Sequence, residues 1–214
     1  GMIKGLPLIG TWTSFLLFGG EFPGTQIVGR LYTLHILLLP AILVALLVLH
    51  LMLLLAFSIK AAIFPVSFWL PDSYPTAPAP VTAVFAGLLT KVGVYAMIRT
   101  ETQIFRDNDV NTLLLIVALA TMIVGVLGAL AQAELKRILS FTLVSHVGYL
   151  VFGLAIATPL ALGATIYYMV HHIIVQTTLF LAVGLIERRA GSPSLLQVQG
   201  LLAPVAGTAG LYLL

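Results

Sequence analysis

A chain of 214 residues that is 60% hydrophobic and only 8% charged, with a mean hydropathy of +1.13, lacks the polar surface of a soluble domain, in which about 25% of residues are charged. The solvent it fits is a lipid bilayer. Its net charge of +3 rests on ten basic residues spread from Lys4 to Arg189 without a cluster, which excludes a nucleic-acid-binding face. The absence of cysteine excludes disulfides, iron–sulfur clusters and thiolate metal sites, so any chemistry must use Lys, His, Asp, Glu or a bound cofactor.

Taken in chain order, residues 1–29 place Trp12, Phe15 and Phe18 among Gly, Pro and Thr. They are too interrupted to span and fit an interfacial segment with an aromatic anchor. No signal peptide is expected, because no short apolar core there leads to a small-residue cleavage site. The next apolar run extends from residue 31 to about residue 59. As one straight helix, Arg30 to Trp69 would be about 58 Å long, nearly twice the hydrocarbon core, so it must break. Pro40, the step at Ser58 to Lys60, and Pro65 are the candidate positions. From Pro65 to Pro80 the sequence holds five of the eleven prolines and predicts a half-helix followed by a structured loop. Four further spans follow at 81–98, 113–133, 138–158 and 160–186. The fold class is therefore an all-α membrane protein of about five transmembrane helices, the first broken, preceded by an interfacial segment. Lys136, Arg137, Arg188 and Arg189 share a side with the proline-rich loop, against Lys4, Arg30, Arg99 and Arg106 on the other, a near balance under the positive-inside rule in which the loop is expected on the cytoplasmic side. The opening Gly and the apolar tail at 204–214 both read as cut ends.

Lys91 carries the strongest functional signal, lying about 16 Å from Pro80 and about 12 Å from Arg99 along its helix, in the middle of the membrane. A charge at that depth costs about 2.5–3.5 kcal/mol, so it should face a polar interior and marks an ion pathway. The alternative is a lysine held by a buried acid or carbonyl for packing alone. Lys60, near the end of the over-long first segment, fits a channel residue and a side chain reaching for headgroups equally well. Asp72, between two prolines, reads as a loop or cap residue. Thr142, His146 and Tyr149 repeat at i, i+4 and i+7 and form one polar stripe. Thr165, Tyr168, His172 and Gln176 form another on the following helix, with His171 rotated about 100° away. Facing each other, the two stripes would make either a proton relay through His146 and His172 or ordinary interhelical hydrogen-bond glue. His35 and His50 are spaced to serve two stacked haems, yet no other helix offers a second pair of ligands. No metal site is expected.

Two resemblances follow from motifs. The segment GMIKGLPLIGTWTSFLLFGGEFPGTQIVGRLYTLHILLLPAILVALLVLHLML, residues 1–53, resembles part of actinobacterial cytochrome b of the cytochrome bc complex. That likeness implies that Gly5 to Gly20 is an interfacial segment beside a quinol site and that His35 and His50 are haem ligands. Residues from about 54 to 203 resemble the antiporter-like subunits shared by respiratory complex I and Mrp-type sodium/proton antiporters, the Mrp D subunit above all. The motifs are AFSIKAAIFPVSFWLPDSYPTAPAPV, GLLTKVGVYAMIR, AQAELKRILSFTLVSHVGYL and YYMVHHIIVQTTLFLAVGLIERR. This resemblance implies that Lys60 matches the channel lysine of a broken helix, that Lys91 matches that of the next helix, and that His146 and His172 lie on the hydrophilic axis. The upstream helix with its channel glutamate and the later broken helix are missing.

The combined expectation is a chimera-like chain of three parts: 1–53, 54–203 and the tail 204–214. Its leading function is proton or sodium/proton translocation as a partial subunit of a membrane complex. The alternatives are a haem-binding electron-transfer fragment of a quinol–cytochrome c reductase and a fusion without function. Expected partners are the bilayer, other membrane subunits of an antiporter or respiratory complex, protons and sodium, but no nucleic acid. No cofactor is expected, haem b being held only if a partner supplies the missing ligands. The chain is expected to be multi-pass in a bacterial plasma membrane and, within an oxidoreductase, a non-catalytic piece.

Overall fold

The computed structural model describes Trp12 and residues 26–105 and 110–198. Among these residues there is no strand, only an isolated bridge between Glu134 and Ser194. Five helices are long and apolar enough to cross a membrane: Leu31–Ala61, Ala79–Ile104, Asn111–Leu130, Leu135–Ile156 and Pro159–Ala190. The interfacial segment expected at 1–29 and the tail at 204–214 lie largely outside the described residues.

The contacts divide the chain into two units, Gly1–Leu53 and Leu54–Leu214. The first unit holds α1 (Gln26–Thr33), a π-helical stretch, Leu34–Leu38, and the start of α2 (Leu39–Ala61), a helix that continues into the second unit. Pro40 therefore does not break the helix, contrary to one expectation from the sequence. A proline lacks the N–H and presses on the carbonyl four residues back, and the wider π turn just before Pro40 takes up that mismatch. Nor does the step at Ser58 to Lys60 break it, since α2 runs on to Ala61.

In the second unit, the break comes at residues 62–68. Ala62 adopts a left-handed φ of 60°, and the Phe64–Pro65 peptide is cis. The freed carbonyl of Ile59 accepts from Ala62 N (3.1 Å) and from the Trp69 indole N–H (2.9 Å), while Phe64 N donates to Thr121 Oγ1 at 3.1 Å. Of the expected half-helix only the five residues of α3 (Trp69–Ser73) form. Tyr74 follows, buried, with its hydroxyl donating to the Phe85 carbonyl (3.2 Å). Burial pushes its phenol above the ordinary range, so it remains a donor.

The second span starts where Pro80 stands at the first turn of α4 (Ala79–Val84), a position where its missing N–H is not needed. It continues through a π turn, Phe85–Leu89, into α5 (Thr90–Arg99) and a further π turn, Thr100–Ile104. Next come α6 (Asn111–Leu130), α7 (Leu135–Ile156) and α8 (Pro159–Ala190). The α7–α8 turn is written in the sequence. Ala157 takes a left-handed φ of 56°, Thr158 caps α8 by accepting from Ala161 N (3.2 Å), and Pro159 opens the helix. At 32 residues α8 is about 48 Å long and outreaches the hydrocarbon core.

Lipid is as apolar as leucine, so helices here are held by close packing and hydrogen bonds. Small residues provide the approach. A Cβ on Gly125 would sit 2.4 Å from Ser145 N, and one on Gly148 would sit 2.9 Å from the Ala118 carbonyl, which shows how closely α6 and α7 pack. Ser145 Oγ adds a bond across that interface to the Met122 carbonyl (3.1 Å). Gly93 lets α5 press equally close to Phe57 and Ala61. At one end, Arg137 pairs with Asp72 (3.0 Å) and Lys136 with Glu187 (2.8 Å). This places the proline-rich loop beside the start of α7 and the end of α8, and gives Asp72 an ion partner rather than a capping role.

Candidate functional site

The two polar stripes meet. His146 on α7 and His172 on α8 lie ring against ring, with centroids 4.7 Å apart. His146 Nδ1 shares a hydrogen bond with the Tyr168 hydroxyl, and Tyr168 stacks on His172 at 5.8 Å with an interplanar angle of 18°. Tyr149 borders both, 6.0 Å from His146 and 6.4 Å from Tyr168. It remains 52% exposed, on the rim of a crevice of about 370 Å³ formed with Gly153, Thr165 and Tyr168. The helical period decides which histidine takes part: His172 is 2% exposed, whereas its neighbour His171 turns outward.

One turn further along α8, Gln176 Nε2 donates to the Leu139 carbonyl (3.1 Å). Thr142 Oγ1 donates to that same carbonyl (2.9 Å). Leu139 is thus a meeting point of the two stripes that no side-chain pattern could reveal, because its contribution is a backbone oxygen. Neither ring nitrogen of His172 has a partner, although both are buried. In an apolar surrounding such a group is costly to leave unpaired, and it is the clearest open valence in the cluster.

Lys91 stands on α5, which packs against α7. It is 3% exposed, and its Nζ donates to the Ala86 carbonyl at 2.6 Å, within the π turn that precedes it. The lysine is therefore held by a carbonyl and not by a buried acid. Beside it, the Thr90 hydroxyl is buried without a partner.

The structure does not bring every candidate together. Lys60 stands exposed in the last turn of α2. His35 falls in the π stretch and is exposed, while His50 is buried. The straight-helix spacing inferred for that pair is altered by the π turn. Among the described residues no group of three or more His, Asp or Glu is placed to hold a metal. Glu187 is not singled out by the sequence patterns, and Lys136 only for its side of the membrane. Their only common signal is a charged residue on the buried face at each helix end.

Comparisons with known proteins agree with one of the two resemblances. A family model described as the transmembrane part of NADH:quinone oxidoreductase/Mrp antiporter proteins matches residues 14–209. The D subunit of the Na(+)/H(+) antiporter of Alkalihalophilus pseudofirmus is 50% identical over 151 residues, which is 70% of this chain and 31% of that protein. The Bacillus subtilis protein of the same description is 40% identical over 164 residues, 75% of this chain and 33% of that one. A solved Mrp complex from a Dietzia species contains a chain that superposes with a TM-score of 0.65 at 43% identity, covering 67% of this chain and 27% of that chain. This chain thus spans about a third of the length of the curated relatives it matches. The family match begins at residue 14 and runs through the position near residues 53 and 54 where the sequence suggests a join. These matches lend no support to the cytochrome b likeness.

Proposed function

We propose, because this chain belongs to the NADH:quinone oxidoreductase/Mrp antiporter transmembrane family, that it moves protons, or exchanges them for sodium, as part of a larger membrane complex. The observation that carries this reading is the ring cluster of buried His172 with half-buried His146 and Tyr168, joined across two helices of an apolar bundle, together with the buried Lys91 on a third. Ionisable groups at this depth are expensive, and a chain of them with an open valence at His172 suits proton transfer better than packing. Tyr168 both donates and accepts, so it can pass a proton to or from His146 without either ring leaving its place. Tyr149, on the crevice rim, supplies contact with the outside of the bundle. Gln176 ties α8 to α7 through the Leu139 carbonyl, Thr142 bonds the same oxygen from within α7, and Lys60 serves at the broken helix, where its exposed side chain is open to neighbouring parts of the complex.

The test is proton uptake, driven by an imposed potential, in liposomes holding the purified chain. Wild-type uptake that vanishes in Lys91→Ala and in His172→Phe supports the reading. Uptake in both variants equal to wild type would reduce the cluster to a packing device.

A further inference from the structure

Beyond the cluster, the inward face of α8 changes character twice before the helix ends. At 100° per residue, Gln176, Phe180 and Glu187 fall within about 40° of one another, and His172 is about 60° from Glu187 on the same side. The stripe therefore runs polar, apolar, polar. On the far side, Glu187 Oε2 receives Lys136 Nζ at 2.8 Å, while Oε1 is buried with no partner. This pair lines a cleft of about 480 Å³ together with Glu134, Arg188 and Ser192. On the near side lie Gln176 and His172, 1% and 2% exposed. Phe180, between them, is fully buried. It packs with Leu143, Val144 and Ala86, the residue whose carbonyl holds Lys91, and edge-on against Tyr74 with centroids 6.4 Å apart.

We propose that the Lys136–Glu187 cleft is the mouth through which protons reach the His172–His146 pair, and that Phe180 is the apolar barrier keeping the two polar compartments apart at rest. The proposal rests on the translocation reading given above. Glu187, with one oxygen held by lysine and the other without a partner, is a carboxylate lining that mouth. A short apolar constriction excludes water and so stops protons from leaking along a continuous file. Tyr74 leans on Phe180 from the loop that follows the break after α2, so movement of that loop is the motion that would shift the ring. The barrier is thereby tied to the segment that carries Lys60.

Because the chain has no cysteine, the proposal can be tested by thiol labelling of the full chain in membrane vesicles with a membrane-impermeant, positively charged methanethiosulfonate. Ser192→Cys, in the cleft, should react. Gln176→Cys should be inert while Phe180 is present, should react about tenfold or more faster after Phe180→Ala, and should stay inert with Phe180→Leu, which keeps an apolar plug. Should Phe180→Ala fail to insert, Phe180→Thr replaces it with the same expectation. The barrier is overturned if Gln176→Cys reacts as fast as Ser192→Cys with Phe180 in place. It is equally overturned if opening position 180 leaves Gln176→Cys inert while Ser192→Cys still labels. Glu187→Gln should slow proton uptake while Gln176→Cys stays inert, and uptake equal to wild type would overturn the mouth. Labelling does not depend on transport: a chain that labels as expected yet moves no protons would overturn the translocation reading and leave the barrier standing.

Discussion

Single side chains in this bundle owe their roles to a few ångströms of surrounding space. Tyr168 is bonded to His146 through its hydroxyl alone, so Tyr168→Phe keeps the ring stacked on His172 and removes only the proton-carrying atom. Proton uptake by that variant is expected to fall steeply while its thermal stability changes by less than about 1.5 kcal/mol, the worth of one hydrogen bond. Uptake at the wild-type level would show that this bond is structural. The glycines make a second contrast. An added methyl on Gly125 meets the Ser145 backbone, so Gly125→Ala should destabilise by about 1–3 kcal/mol through overpacking. Gly163 has nothing within 4 Å of such a methyl, and Gly163→Ala should stabilise α8 by up to about 1 kcal/mol. Urea denaturation in detergent micelles would distinguish the two, and equal effects would mean that α6 and α7 are not in close contact at Gly125.

Elements are joined at two places where backbone and charge, rather than apolar area, set the outcome. The end of α2 turns at Ala62, whose left-handed backbone costs a non-glycine residue about 1–2 kcal/mol. Ala62→Gly should therefore leave stability unchanged or raise it. Ala62→Val, β-branched at a fully buried position with positive φ, should lower it by several kcal/mol. A fall in melting temperature with glycine as large as with valine would contradict this account of the turn. The two ion pairs at the end of the bundle differ in exposure. The side chains of Lys136 and Glu187 are 14% and 17% exposed, those of Arg137 and Asp72 38% and 72%. Double-mutant cycles should give a coupling of about 1.5–3 kcal/mol for the first pair and less than about 1 kcal/mol for the second.

At the scale of the whole molecule, the five spans turn most of their large apolar side chains outward. In water such a surface would aggregate, whereas in a bilayer, or against further helices of a complex, it is the correct solvent-facing side. No haem is proposed for this chain by itself. Two bis-histidine haems would need four axial ligands, of which His35 and His50 could be at most two, and a single imidazole per iron would leave an exchangeable position. A reduced-minus-oxidised spectrum of the purified chain should accordingly lack a stoichiometric low-spin b-type signal, and two such haems per chain would require ligands from a partner.

Much of this architecture was legible in the sequence because it depends on properties local to each segment. Runs of apolar residues, counted against the thickness of the hydrocarbon core, already specify five spans, and the structure moves their ends by only a few residues. The 3.6-residue period likewise put His146 with Tyr149, put His172 with Tyr168, and turned His171 away. Other features were decided only by packing between segments distant in the chain. Pro40 is absorbed by a π turn while the break moves to Ala62, Lys91 takes the Ala86 carbonyl in place of an acid, and Lys60 stays outside the cluster. Phe180 stands between Gln176 and Glu187, and Lys136 finds Glu187 across two helices. A periodic pattern states which face of a helix is polar, but a carbonyl oxygen or an ion partner is chosen by whichever helix packs there, and that choice belongs to the tertiary structure.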